Sequence, residues 1–245
     1  MKQYQAVIET LDRLGGIATL AQLYQQVFKI KDCKWRTKTP LASVRRIVQT
    51  RKEIYKVKPG LYALRDKRKE LEAKGIYEEN KQSTRTEQNL EFNHTYYQGL
   101  LLQIAKMRKL DSWSPNSDRN KIWLGYSIGS LRTLQHLPPF SYPEFIRRSA
   151  TVDVIWFNQR KMPHSFFEIE FSTDIQNSLL KFYELQDFYA RMVIASHSQR
   201  RKEFENKIRY SAFAGIVDRV TFIPFESIVE SYEREVATSK MEMPL

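Results

Sequence analysis

Three consecutive stretches, Arg148-Ser-Ala-Thr-Val-Asp153-Val-Ile-Trp-Phe157, Ser165-Phe-Phe-Glu168-Ile-Glu170-Phe171 and Ile175-Gln-Asn-Ser-Leu-Leu-Lys181-Phe-Tyr-Glu184, read as strand, strand and helix. The second strand alternates strictly: Phe167, Ile169 and Phe171 fall on one face, Glu168 and Glu170 on the other. The first is apolar on both faces, as a central strand should be, apart from one acid, Asp153. With strands over about 150–157 and 164–171, the turn centres between Arg160 and Lys161. That symmetric register sets Asp153 opposite Glu168, with Glu170 one step along the same face. Cross-strand Cβ atoms are roughly 5 Å apart, so three carboxylates gather beside an apolar core, where like charges oppose each other. A divalent cation removes that penalty, and Mg²⁺ is commonly held by one or two carboxylates plus phosphate and water. The alternative is a merely solvated acidic sheet face.

The chain has 245 residues, enough for one large domain or two small ones, and 42% hydrophobic content supports a real core. No run of eighteen apolar residues suggests a membrane span. The N-terminus lacks the apolar stretch of a signal peptide, and the single cysteine, Cys33, excludes internal disulfides and a Cys-based zinc site. Both fit a cytoplasmic location. The net charge is +12, which points to a polyanion, most simply nucleic acid. Residues 1–64 hold 13 Lys and Arg against 4 Asp and Glu, so nine of the twelve net charges belong to the first quarter of the chain.

In that quarter, Val7, Leu11 and Leu14 have helical spacing and Gly15-Gly16 stops the helix. Thr19 caps a second helix. Thr39-Pro40 opens a third, with Leu41, Val44, Ile47 and Val48 buried and Ser43, Arg45, Arg46 and Gln49 facing out. A Pro-Gly turn then joins two strands over residues 54–64. This order of parts resembles the winged helix–turn–helix, in particular the HARE-type domain often joined to restriction endonucleases. The resemblance implies a third helix in the major groove, with Ser43, Arg45, Arg46 and Gln49 near base edges or phosphates and Lys56 and Lys58 on the DNA backbone. The alternative is a solvated basic face on a protein-interaction domain.

Residues 66–92 read as a charged surface helix and a polar linker over 80–88, which divides the chain into domains 1–65 and 93–245. The second opens with a helix from Asn93 carrying Tyr97, Leu101, Ile104 and Ala105 inward, with His94 read as a surface or capping residue and not as a ligand. Residues 111–121 read as a polar loop, 124–140 as irregular packed chain. After the acidic hairpin and its helix come a strand over 190–196, a basic helix over 198–216, a strand over 219–225, a closing helix from Glu226 and a disordered tail from Ala237. The expected class is α/β (α+β): a winged helix followed by a mixed sheet flanked by helices.

The succession Val152-Asp153-Val154, Phe167-Glu168-Ile169-Glu170 and the Leu179-Leu180-Lys181-Phe182 helix resembles the PD-(D/E)xK nuclease superfamily over roughly residues 93–235. The resemblance implies that Asp153 and Glu168 bind Mg²⁺ and that the next-but-one residue, usually Lys, orients or activates water. Here that position is Glu170, as in the Glu-x-Glu variant of some restriction enzymes, so Asp153, Glu168 and Glu170 are the expected metal ligands. Lys181 on the following helix is the other candidate for the water-activating role, the alternative being a solvent-facing lysine. Gln186 lies nearby, and Glu144 is a further candidate acid. The implied activity is Mg²⁺-dependent endonuclease cleavage, with Mn²⁺ as a substitute, in a restriction or other defence system. Double-stranded DNA, a second copy of the chain and a cognate methyltransferase or defence-system component are the implied partners. A non-catalytic DNA-binding regulator that kept the fold and an RNA-directed or toxin-like nuclease are the alternatives.

Overall fold

The computed structural model describes residues 1–78 and 87–241. It divides into two compact units, Met1–Phe92 with Val229–Leu245, and Asn93–Ile228. The sequence reading placed residues 229–245 with the second unit. Most of the linker expected over 80–88 lies outside the described residues. Its last two positions already belong to a helix.

The first unit contains α1 (Gln3–Arg13), β1 (Ile17–Thr19), α2 (Leu20–Gln26), α3 (Pro40–Thr50), β2 (Ile54–Lys58), β3 (Leu61–Leu64) and α4 (Arg68–Ala73). Gly16 terminates α1: its φ is 82°, its amide donates to Leu11 O at 2.8 Å, and an added Cβ would lie 2.7 Å from Lys67 Cγ. Thr19 and Gln22 cap α2 reciprocally, the Thr19 hydroxyl accepting from Gln22 N at 3.0 Å and Gln22 Oε1 from Thr19 N at 2.8 Å. Just before this cap, residues 17–19 form a strand that the sequence did not suggest. It pairs antiparallel with β3, giving a three-stranded sheet of order β1-β3-β2. Val7, Leu11, Leu23, Val44, Val48 and Ile54 pack together beneath it.

The second unit contains the Asn93 end onward of α5 (Glu87–Met107), then β4 (Asp111–Trp113), β5 (Ile122–Trp123), β6 (Tyr126–Ser127), α6 (Ile128–Leu131), α7 (Pro143–Ser149), β7 (Val154–Phe157), β8 (Pro163–Glu170), α8 (Ile175–Glu184), β9 (Arg191–Ser196), α9 (Arg201–Ile208), β10 (Val220–Pro224) and the first turn of α10 (Phe225–Met241). Five strands form one mixed sheet, β10-β9-β8-β7-β4. β8, β9 and β10 run parallel and β4, β7 and β8 antiparallel. Residues 111–113, read as loop, form one of the two edge strands. They are three residues with a polar start, too short to show a period. The basic helix expected over 198–216 is in fact α9 between two short 3₁₀ turns, and the tail expected to be disordered from Ala237 is helical to Met241.

Strand alternation sorts the two faces of this sheet. Ile155, Phe157 and Phe166 join Ile175, Leu179 and Phe182 of α8 and Phe204 and Ile208 of α9 in one core. On the other face Phe171 and Tyr97 of α5 pack on Phe225, with ring centroids 4.6 and 4.0 Å away, and Trp156 packs on Phe167 at 4.5 Å. Trp156 Nε1 donates to Leu101 O at 3.2 Å, fixing α5 to this face. Each buried aromatic or aliphatic side chain contributes about 1.5–3 kcal/mol. The acid face of β8 is therefore not open to water: α8 covers it.

Candidate active site

The register Val154↔Phe167, Ile155↔Phe166 and Trp156↔Ser165 is the one a turn centred between Arg160 and Lys161 dictates, and it carries Asp153 to a position opposite Glu168. The turn itself is built by Asn158, whose Oδ1 accepts from Arg160 N at 2.9 Å and Met162 N at 3.2 Å, and by Lys161 at a φ of 61°. Pro163 follows, and the pairing shifts by one residue at Phe157. The shift lies on the far side of the acids and leaves their register intact.

Each carboxylate has found protein partners. Asp153 Oδ2 accepts from Ile169 N at 2.7 Å and lies 3.2 Å from His94 Nε2. Glu168 Oε2 accepts from Lys181 Nζ at 2.7 Å and faces Ser178 Oγ at 3.1 Å, while Glu168 Oε1 is buried with no hydrogen-bond partner. Glu170 accepts the Ser178 hydroxyl on Oε1 and the Thr173 hydroxyl on Oε2. Ser178 has one hydrogen to donate and two carboxylates that want it. Lys181 also donates to Thr151 O at 2.9 Å. It is therefore half-buried and drawn into the acid cluster rather than extended into solvent.

The electrostatics follow from this packing. Burial, then the neighbouring Asp153 charge, push the Glu168 carboxyl well above its usual range, against the pull of Lys181. Burial also acts to raise Asp153, but His94, Lys181 and the Ile169 amide outweigh it and hold it below the ordinary value. Burial lowers Lys181 and His94, yet their carboxylate neighbours win and both end higher than usual. Two acids pushed in opposite directions thus sit across one strand pair.

Beside Asp153 lies a cleft of about 430 Å³ lined in part by His94, Ser117, Asp118, Lys121 and Thr151. Gln98 Nε2 donates to Asp118 Oδ2 and to Asp153 O, both at 3.0 Å, and Lys121 Nζ pairs with Asp118 Oδ1 at 2.8 Å. His94 is not the surface or capping residue expected: it is a partner of Asp153. The signal was present, since His94 and Gln98 are one helical turn apart and share a face of α5. Ser178 and Thr173 carried no such signal, because a hydroxyl finds its role only when its neighbours are known.

The structure does not gather every expected residue. Among the described residues, no group of three or more His, Cys, Asp or Glu is placed to hold a metal ion. Glu170 spends its oxygens on the Ser178 and Thr173 hydroxyls and meets Glu168 only through the shared Ser178. Glu144 is exposed on α7, and Gln186 lies past the end of α8, its carbonyl accepting from Arg219. In the first unit, Arg45, Arg46, Gln49 and Lys56 are exposed and Ser43 is half-buried. Lys58 is the exception to the expectation of a wing lysine on DNA: it is 1% exposed, with its ammonium 5.6 Å from the Phe92 ring centroid. A register shift between Lys56 and Lys58 breaks the alternation and turns Lys58 inward.

A family model described as the Type II restriction enzyme NmeDI C-terminal domain matches residues 75–243. No curated protein and no solved structure matches the chain.

Proposed function

The chain belongs to the Type II restriction enzyme NmeDI C-terminal domain family, and from that premise we propose that it is a restriction-type endonuclease of PD-(D/E)xK design. In this reading it hydrolyses double-stranded DNA with Mg²⁺, for which Mn²⁺ can substitute. The observation that carries the reading is the orphaned Oε1 of Glu168, a buried carboxylate oxygen beside Asp153 with no donor. Such an atom is costly to bury unless a ligand completes it. A set of two carboxylates suits Mg²⁺, which takes its remaining ligands from phosphate and water.

Asp153 and Glu168 would hold the ion. When bound, it would polarise the scissile phosphate and favour deprotonation of the attacking water. Lys181 spends two of its three N–H donors on Glu168 and Thr151 and keeps one for the water or a phosphate oxygen. Glu170, with both oxygens accepting hydroxyls, holds Ser178 against Glu168 and is not poised as a base. In-line attack on phosphorus expels the 3′ oxygen and leaves a 5′ phosphate. The first unit, read as a winged helix, would place α3 in the major groove with Arg45, Arg46 and Gln49 at bases or phosphates and Lys56 on the backbone. A double-strand cut with one site per chain favours a homodimer, and a cognate methyltransferase would protect the host sequence.

One observation favours a second reading, a DNA-binding regulator without activity: no described cluster of three ligands is preformed. Calorimetry separates the two. The nuclease reading expects Mn²⁺ binding by the purified chain that is lost in Asp153→Ala, whereas the regulator reading expects none in either protein.

A further inference from the structure

In the first unit a half-buried carboxylate is turned onto one cation of α3. Glu233, in the part of α10 that belongs to this unit, pairs through Oε2 with Arg45 Nη2. The Glu233 side chain is 13% exposed and that of Arg45 51%. Arg45 Nε reaches Tyr24 OH at 3.4 Å, and Gln49, one turn along α3, lies beside the Tyr62 hydroxyl. One turn of α3 is thus held by groups from α2, β3 and α10. The anchor of α10 here is its packing: Tyr232 is buried beside Thr19, and Val236 is fully buried.

Two features give this contact a meaning. First, α10 does not hide the outer face of α3, where Ala42, Arg45, Arg46 and Gln49 all remain exposed. Second, a carboxylate partner cancels the net charge of Arg45. An arginine meant for a phosphate works through that charge, whereas an arginine meant for a base edge works through the fixed plane and direction of its N–H groups. Pinning Nε and one terminal nitrogen removes the freedom of a long side chain and leaves an edge of the guanidinium in solvent. Arg46, on the same face, has no such carboxylate partner among the described residues and suits the phosphate role.

We infer that Glu233, with Tyr24, is a positioning residue that fixes the Arg45 guanidinium to read a guanine edge in duplex DNA. The inference rests on the proposal that α3 enters the major groove, and it makes the C-terminal helix part of the recognition apparatus.

The test selects bound sequences from a pool of random 30-base-pair duplexes, using the full chain in chelator so that nothing is cut. The affinity for the selected duplex is then compared with that for a scrambled one. Glu233→Gln is expected to reduce the preference by about tenfold, with the loss concentrated at a G·C pair, and to change scrambled-duplex affinity by no more than about threefold. Tyr24→Phe, which leaves the α10 packing untouched, is expected to lower the preference in the same direction, so the inference stands on two variants. Unchanged preference in both, or tighter binding to both duplexes, would overturn it, the latter by making Glu233 a restraint on Arg45. Arg45→Ala separates the two levels. Lost preference there with Glu233→Gln and Tyr24→Phe unaffected sinks only the positioning role. Retained preference there, or a wild-type chain that selects no sequence, sinks the major-groove reading as well.

Discussion

Glu168 on β8 and Arg46 on α3 are each a charged residue in the middle of a regular element, yet Glu168 is 2% exposed and Arg46 faces solvent. The surroundings differ accordingly. Around Glu168 every titratable neighbour is drawn in: Lys181 bonds it, Asp153 lies opposite, and Ser178 is shared with Glu170. Around Arg46 the helix simply leaves the cation in water. Charge buried under a helix must be answered atom by atom, because desolvation penalises each uncompensated group. Charge left in water needs no answer and draws its partner from solution. On the proposed reading the difference separates a centre that would act on a bond from a surface that would attract a polymer, and substitutions should separate them in the same way.

The largest effects belong to the buried centre. Glu168→Ala and Asp153→Ala are each expected to lower metal-dependent DNA cleavage by roughly 10³-fold or more, with DNA binding retained, since on the proposed reading each removes a metal ligand and not a surface charge. Lys181→Met should cost about 10²-fold in single-turnover rate, the scale of one positioned proton donor or acceptor. Glu170→Gln keeps an oxygen for a hydroxyl and should cost about tenfold or less, a factor worth roughly 1.4 kcal/mol. If Glu170→Gln proves as damaging as Glu168→Ala, Glu170 is a third ligand or the base, and the division of labour drawn between the two acids is wrong.

Smaller effects belong to the open surface. Arg46→Ala and Lys56→Ala should each weaken binding to any duplex by a few fold and reduce the slope of log K against log salt by about one unit. Lys58→Met should leave that slope unchanged, because Lys58 is buried. A salt titration of the three variants decides whether the register shift in β2 has indeed withdrawn Lys58 from DNA.

The smallest predicted effect is one of stability. The folded-state pKa of Glu168 is raised, so its contribution to stability is fully present below the ordinary glutamate value and is lost as pH rises through the raised value. Glu168→Gln imitates the protonated form at every pH. Without metal it should therefore melt above the wild type at pH 7, by roughly 2–4 °C for a gain on the order of 1 kcal/mol. The advantage should vanish near pH 4. Thermal melts across that range in chelator give the sign directly, and a destabilised Glu168→Gln at pH 7 would mean that the Lys181 pair outweighs burial.

What was legible in the sequence follows the same physics. The pairing of Asp153 with Glu168 could be read because strict alternation and a symmetric turn leave one register in which Phe167, Ile169 and Phe171 stay together. The approach of Lys181 could be anticipated from its place on the following helix, but its bond to Glu168 could not. The edge strand 111–113 and the strand 17–19 escaped because three residues show no period and owe their form to the strands they join. Lys58 was misplaced because a bulge cancels the alternation on which its outward placement rested. His94 was misjudged for a different reason: a histidine at a helix start is ordinary until its i+4 neighbour, Gln98, is seen to reach Asp153 as well. Glu233 was invisible altogether, since its partner is 188 positions away.

The most direct test of the central claim, that Asp153, Glu168 and Lys181 form a DNA-cleaving centre, is digestion of methylated and unmethylated phage DNA by the purified chain, with Mg²⁺, with Mn²⁺ and with chelator, beside Glu168→Ala. The account predicts discrete fragments with either metal, none in chelator and none from Glu168→Ala. Discrete, metal-dependent fragments from Glu168→Ala, or binding without cleavage by the wild type under both metals, would contradict it.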